Sequence, residues 1–141
     1  MRILAIDVGT VRLGVAVSDE LGILATPLEH YRRTGSLRKD ARAIAEIAEG
    51  QGAGEILVGH PVQMSDEIGT AALAAEEFAE RLTRYTRIPV RMVDERLSSV
   101  EAERRLREAG VDSRKARSLV DSQAAAVLLE SYLRSKEITN E

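Results

Sequence analysis

Ile3-Leu4-Ala5-Ile6-Asp7-Val8-Gly9-Thr10-Val11-Arg12-Leu13-Gly14-Val15-Ala16-Val17 holds two apolar runs around a short turn, and its reading decides the fold. The run Ile3 to Asp7 reads as a buried strand that ends on an acid and meets a turn at Asp7-Val8-Gly9-Thr10. Leu13 to Val17 reads as a second strand and Ile23 to Tyr31 as a third. The links between them are too short for crossovers, so the three strands form an antiparallel meander.

Further along the chain the hydrophobic period changes. Leu37, Ala41, Ile44 and Ala48 recur at helical spacing between about Leu37 and Glu49, and Gly50 and Gly52 end that helix. Glu55 to Gly59 is a continuous apolar strand followed by Pro61. Ser65 or Asp66 opens a helix that runs through Phe78 and Leu82, and Pro89 to Asp94 is a fifth strand. Ser98 or Ser99 caps the next helix, with Ser98 and Glu101 spaced as a capping box. Gly110 ends it, and a last helix runs from about Ser113 to Ser135. Strands alternating with helices need crossover connections and parallel pairing. The order β-β-β-α-β-α-β-α-α therefore predicts an α/β fold, a five-stranded mixed sheet flanked by helices, which is the RNase H-like topology.

Composition narrows the chemistry. The chain has 141 residues and reads as a single domain over 1–141. Its 3% aromatics are Phe78, Tyr31, Tyr85 and Tyr132, so the core is built from Ala, Leu, Val and Ile. Without cysteine there are no disulfides, thiolate zinc sites or cysteine nucleophile, and His30 and His60 are too few for a histidine-rich metal site. Carboxylates remain, and they favour hard cations such as Mg²⁺ or Mn²⁺. The N-terminal apolar run is too short for a signal peptide or membrane span, which predicts a cytoplasmic protein without membrane association. A net charge of -3 argues against a cationic coat for nucleic acid and leaves room for a local basic patch.

Three acids stand where acids are costly. Asp7 ends an apolar strand, Glu95 follows the fifth strand, and Asp121 is followed at helical spacing by Ala124, Ala125 and Leu128. A buried, unpaired carboxylate costs several kcal/mol, roughly, unless a cation or hydrogen-bond donors compensate. Taken singly, Asp7 can cap a turn, Glu95 can be a surface acid, and Asp121 can pair with Arg117 one turn earlier. Asp94 is the alternative ligand if Glu95 faces the other side, since adjacent strand residues point in opposite directions. Taken together, three carboxylates converging at the carboxyl edge of a sheet imply a divalent metal.

The turn Asp7-x-Gly9-Thr10 suits close approach of a phosphate, with Thr10 at the substrate, although a plain hairpin turn has the same composition. The same motif binds ATP phosphates in the superfamily of sugar kinases, actin and chaperones. That superfamily closes two such domains on a nucleotide, and this chain is long enough for one. Between Arg104 and Arg117 six basic residues (Arg104, Arg105, Arg107, Arg114, Lys115, Arg117) face two acids. Arg12 and Arg96 lie close in sequence to Asp7 and Glu95. These charges are either a solvated surface or a grip on a phosphate backbone. His60 follows the fourth strand and is a further candidate for substrate contact.

With these motifs in order, the sequence resembles the YqgF/RuvX family, pre-16S rRNA nucleases related to RuvC-type Holliday junction resolvases. The resemblance runs from Ile3 to about Leu133. It rests on Ile6-Asp7-Val8-Gly9-Thr10 with Arg12-Leu13-Gly14-Val15-Ala16-Val17-Ser18-Asp19, on Val58-Gly59-His60-Pro61, on Asp94-Glu95-Arg96-Leu97-Ser98-Ser99-Val100-Glu101-Ala102, and on Val120-Asp121-Ser122-Gln123-Ala124-Ala125. The family's acidic positions fall on Asp7, Glu95 and Asp121. The segment after strand four departs from the pattern. The family usually has Leu before the proline and an Asn-Met-Asp-Gly-like turn after it, where this chain has His60 and Val62-Gln63-Met64-Ser65-Asp66-Glu67.

The resemblance implies an endonuclease that matures the 5′ end of 16S rRNA in ribosome biogenesis, with Holliday junction resolution as the alternative. It implies two Mg²⁺ or Mn²⁺ ions, Asp7 bridging them and Glu95 and Asp121 completing their shells, for in-line attack of water on phosphorus. The partner is a structured nucleic acid, pre-rRNA or branched DNA, and the protein is a monomer or homodimer. A non-catalytic RNA-binding assembly factor is the remaining reading, and an intact acidic triad argues against it.

Overall fold

Arg2–Val8 (β1) and Arg12–Ser18 (β2) pair antiparallel in a computed structural model that describes residues 1–61, 68–94 and 122–134. Ala25–Pro27 (β3) and Tyr31–Arg32 (β4) both pair antiparallel with β2. Then follow helix Leu37–Gly50 (α1), strand Ala53–His60 (β5), helix Ile68–Leu82 (α2) and strand Val90–Asp94 (β6). A further helical segment spans 122–134. β5 runs parallel to both β1 and β6, which gives a mixed sheet in the order β3-β2-β1-β5-β6 with β4 beside β2.

The meander and the parallel half stand as the sequence predicts, with strand limits shifted by a residue or two. The third strand differs. It is two short strands on one edge, so the sheet counts six strands, five of them on the main path. The pairs Ala16↔Pro27 and Leu13↔Tyr31 are out of step by one residue, an extra residue inserted on the outer strand as in a β-bulge. Pro27 has no amide to donate, and the Leu28 amide instead reaches the Val15 carbonyl at 2.8 Å. The helix expected to begin at Ser98 or Ser99, the start of the preceding long helix and the loop Val62–Glu67 lie outside the described residues.

Alternation along the strands sends side chains to two separate cores. Leu4, Ile6, Val15, Ile56 and Val58 face Ala41, Ile44 and Ala48 of α1 and Phe78 and Leu82 of α2. On the other face Ile3, Ala5, Ala16 and Leu57 meet Ala125, Ala126, Leu129 and Leu133 of segment 122–134. Helices therefore cover both faces, and small alanines let the last one lie close to the sheet. Ser36 caps α1 by accepting from the Lys39 amide at 3.3 Å. Gly52 takes a left-handed φ of 70° just past the helix end. No helix among the described residues is long and apolar enough to cross a membrane.

Candidate functional site

β1, β5 and β6 run in one direction and finish at Val8, His60 and Asp94. This common carboxyl edge is where open α/β sheets hold their ligands. Val8 packs into the α1–α2 core, so Asp7 beside it lies on the opposite face, the one covered by segment 122–134. It is half-buried. Across the sheet Asp7 pairs with Gly14 of β2. One step beyond the pair Ile6↔Val58, Gly59 of β5 stands on its other side. The carboxylate on the central strand is thus flanked in its row by two residues without side chains.

The turn after Asp7 is held tightly. The Gly9 amide donates to the Arg12 carbonyl at 3.0 Å, and a Cβ at Gly9 would collide with that oxygen. Glycine is required there by the hairpin itself. From the outer edge the Arg33 amide donates to the Val11 carbonyl at 2.9 Å, and the Arg33 guanidinium donates to the Gly9 carbonyl at 3.0 Å. The same guanidinium pairs with Asp40 (Nε to Oδ2, 3.0 Å) and lies 5.8 Å from the centre of the Phe78 ring.

Asp40, in the first turn of α1, is 1% exposed and fully used. Its Oδ1 accepts from the Tyr31 hydroxyl (3.0 Å), the Thr34 amide (3.0 Å) and the Thr34 hydroxyl (2.9 Å). Burial pushes its acidity the other way, yet these donors and Arg33 together hold the carboxyl below its usual range. Burial first, and then the bond to Asp40, raise the Tyr31 phenol. Sequence reading missed this cluster. Its only local signal is an acid in a helix first turn, four residues after the Ser36 cap. Beside it a cavity of about 440 Å³ is bounded in part by Thr10, Val11, Arg33 and Asp40. Thr10 is therefore at an open surface, directly past the Asp7 strand.

His60 takes a different direction from Asp7. Its Nε2 is 3.0 Å from Glu76 Oε1 of α2, with the two side chains 28% and 52% exposed. The pair ties His60 to the α2 side of the sheet edge. Arg12 is half-buried on β2 and pairs across to Arg32 of β4. Glu95, Arg96, Arg104, Arg107, Arg114, Lys115, Arg117 and Asp121 lie outside the described residues. Their described neighbours are informative. Asp94 pairs with His60 at the carboxyl edge, one residue before Glu95. Ser122, one residue after Asp121, is buried, and its hydroxyl accepts from the Val15 amide at 3.4 Å. Val15 follows Gly14, the cross-strand partner of Asp7. Among the described residues no three His, Asp or Glu gather as a metal set.

The architecture is that of an RNase H-like protein. T. thermophilus RuvC in complex with a Holliday junction substrate matches it with a TM-score of 0.61 at 16% identity, over 97% of this chain and 96% of that one. A second Thermus thermophilus RuvC structure matches with a TM-score of 0.53 at 17% identity, over 99% and 98% of the two chains. The profile of the RuvX family, described as a Holliday junction resolvase, matches residues 1–135. A Mycobacterium ulcerans protein named "Putative pre-16S rRNA nuclease" is 48% identical over 133 residues, covering 94% of this chain and 78% of the relative. A Lachnospira eligens protein of the same name is 43% identical over 139 residues, 97% of this chain and 99% of its own. The chain belongs to the RuvX family.

Proposed function

We propose that this chain is a metal-dependent endonuclease that hydrolyses phosphodiester bonds of pre-16S rRNA at its 5′ end, acting in the cytoplasm as one domain over 1–141. The observation that carries the reading is Asp7 at the carboxyl edge of the central strand, in a row with Gly14 and Gly59, in a chain whose relatives carry the nuclease name. Two glycines beside a carboxylate leave room for a phosphate, which the acid alone would repel. Oxygen donors of this kind fit Mg²⁺ or Mn²⁺. Asp7, Glu95 and Asp121 would hold the ions, two in number. When bound, they supply a nucleophilic water and neutralise charge on the phosphate. The positions bordering all three acids support this grouping: Val8 and Asp94 end the two parallel strands on either side of β5, and Ser122 is bonded to β2.

The chain's own residues then bind and orient. Thr10 and Arg12 meet the backbone near the scissile phosphate, and Arg96, Arg104, Arg107, Arg114, Lys115 and Arg117 extend the contact. Changing Arg104, Arg107, Lys115 and Arg117 to Ala weakens binding and flattens its salt dependence. His60, paired to Glu76, stands at the same edge towards α2 and contacts substrate beyond the cleavage point.

The test is cleavage of a precursor rRNA end and a four-way DNA junction by the same preparation in Mn²⁺. Preferred cutting of the RNA supports the proposal. Paired symmetric cuts in the junction, which require a homodimer presenting two sites, support resolution of DNA junctions, the activity in the family's description.

A further inference from the structure

Arg12 and Arg32 stand directly opposite one another on adjacent antiparallel strands. Like charges placed so oppose the pairing of the strands, and β4 has only two residues with which to resist. Their common face follows from their neighbours. Leu13 and Tyr31, also a cross-strand pair, both pack into the α1–α2 core. Arg12 and Arg32 alternate with them, which starts both side chains on the other face, the face of Asp7; Arg32, the last residue of β4, also borders the cavity beside Thr10, Arg33 and Asp40. Arg12 is half-buried and Arg32 exposed.

The distance to Asp7 is short. Strands lie roughly 4.8 Å apart and advance roughly 3.3 Å per residue, which puts the Arg12 Cα roughly 8 Å from that of Asp7 and Arg32 one strand further out. The Gly9–Arg12 hydrogen bond fixes Arg12 in this place, and the Arg33–Val11 bond does the same for the end of β4. Two arginines whose Cα atoms stand roughly 5 Å apart across a strand pair can reach one phosphate together, each offering planar donors to its oxygens. No side chain stands between the pair and Asp7 on β2, since the intervening residue of that face is Gly14.

We infer that Arg12 and Arg32 together grip one backbone phosphate of the nucleic acid, adjacent to the phosphate that lies at Asp7. This deepens the proposed nuclease reading and rests on it for the direction in which the strand runs. Arg32 is the new member, brought to Arg12 only by the β2–β4 pairing.

The experiment measures binding of a fluorescein-labelled precursor rRNA fragment by anisotropy across a salt series. The proteins are the wild type, Arg32→Gln, Arg32→Lys, Arg12→Gln and the double variant, each checked for a melting temperature no lower than that of the wild type. Arg32→Gln should lower the slope of log affinity against log salt by about 0.7 to 0.9, the value for one lost phosphate contact. Arg32→Lys should restore most of it. Because both arginines hold the same phosphate, adding Arg32→Gln to Arg12→Gln should reduce the slope little further. An unchanged slope for Arg32→Gln, or fully additive losses, overturns the shared grip. The two readings fail separately. A wild type that cuts while Arg32→Gln binds normally leaves the nuclease standing and removes the grip. A wild type that shows the predicted slopes but cuts nothing keeps the grip and removes the nuclease. A wild type that binds no nucleic acid removes both.

Discussion

Arg33 and Asp40 form a partly shielded ion pair, Nε to Oδ2 at 3.0 Å, that fastens the start of α1 to the turn following Asp7. Asp40→Ala leaves donors from Tyr31, Thr34 and Arg33 without their acceptor, two of them on hydroxyls. Removing one partner of a buried, hydrogen-bonded pair costs about 3 kcal/mol, readable by urea denaturation. The pH dependence has a definite sign. The folded carboxyl titrates below its ordinary value, so the stabilisation is present in full above the unfolded value of 3.8 and is lost as pH falls through the lower folded one. Asp40→Asn should therefore be less stable than wild type at neutral pH and lose less on acidification. Parallel acid limbs for the two proteins would refute this account.

Gly9→Ala places a methyl group against the Arg12 carbonyl oxygen. The hairpin must open or shift, at a cost of about 1 to 3 kcal/mol as for overpacking elsewhere. Because Asp7 is two residues away and Arg12 supplies the colliding atom, affinity for nucleic acid should fall as well. Thermal melting and anisotropy on one preparation check both effects. A variant as stable as wild type would mean the turn relaxes freely.

The meander, α1 and the parallel strands were legible because apolar runs and helical spacing are local signals. The split of the third strand was not, since Ile23 to Tyr31 reads as one run and only the pairing with β2 exposes the extra residue. The face of His60 was equally hidden. Ile56, Leu57 and Val58 are all fully buried because β5 is covered on both sides, and such a strand carries no alternation from which to read parity. Asp7 was legible as an acid ending an apolar strand. Its glycine neighbours Gly14 and Gly59 were in plain view in the sequence, but their common row with Asp7 exists only in the register. Asp40 was missed because its four donor groups gather through the turn between β4 and α1, not through any periodic pattern.

Ser122→Ala tests how the last helical segment is seated. The Val15 amide stands where the outer edge is out of step, and the Ser122 hydroxyl is its acceptor at 3.4 Å. A bond of that length is weak, so the loss should be about 1 kcal/mol. The more specific readout is hydrogen exchange. The Val15 amide should exchange faster in the variant, while that of Leu28, which donates to the Val15 carbonyl, should change less. Equal exchange at Val15 in the two proteins would show that the segment does not depend on this contact.

Asp7→Asn separates catalysis from binding. The change keeps the shape of the side chain and removes its charge, and the strand before it is anchored by the buried Leu4, Ala5 and Ile6. The fold should survive. In the proposed triad one of three mutually repelling carboxylates is neutralised, so without added metal the melting temperature should hold or rise slightly. Cleavage in Mg²⁺ or Mn²⁺ should drop by orders of magnitude, because a neutral amide oxygen is a weaker ligand than a carboxylate for the hard divalent cation this site would hold. Binding should persist or tighten, since a negative charge facing the phosphates is gone while Arg12 and Thr10 remain. All three quantities are measured on one preparation. Undiminished cleavage by the variant would place the nuclease activity at another site or in a contaminant. A wild type that binds precursor rRNA and never cuts it, with either metal, would make the protein a ribosome-assembly factor on a nuclease fold.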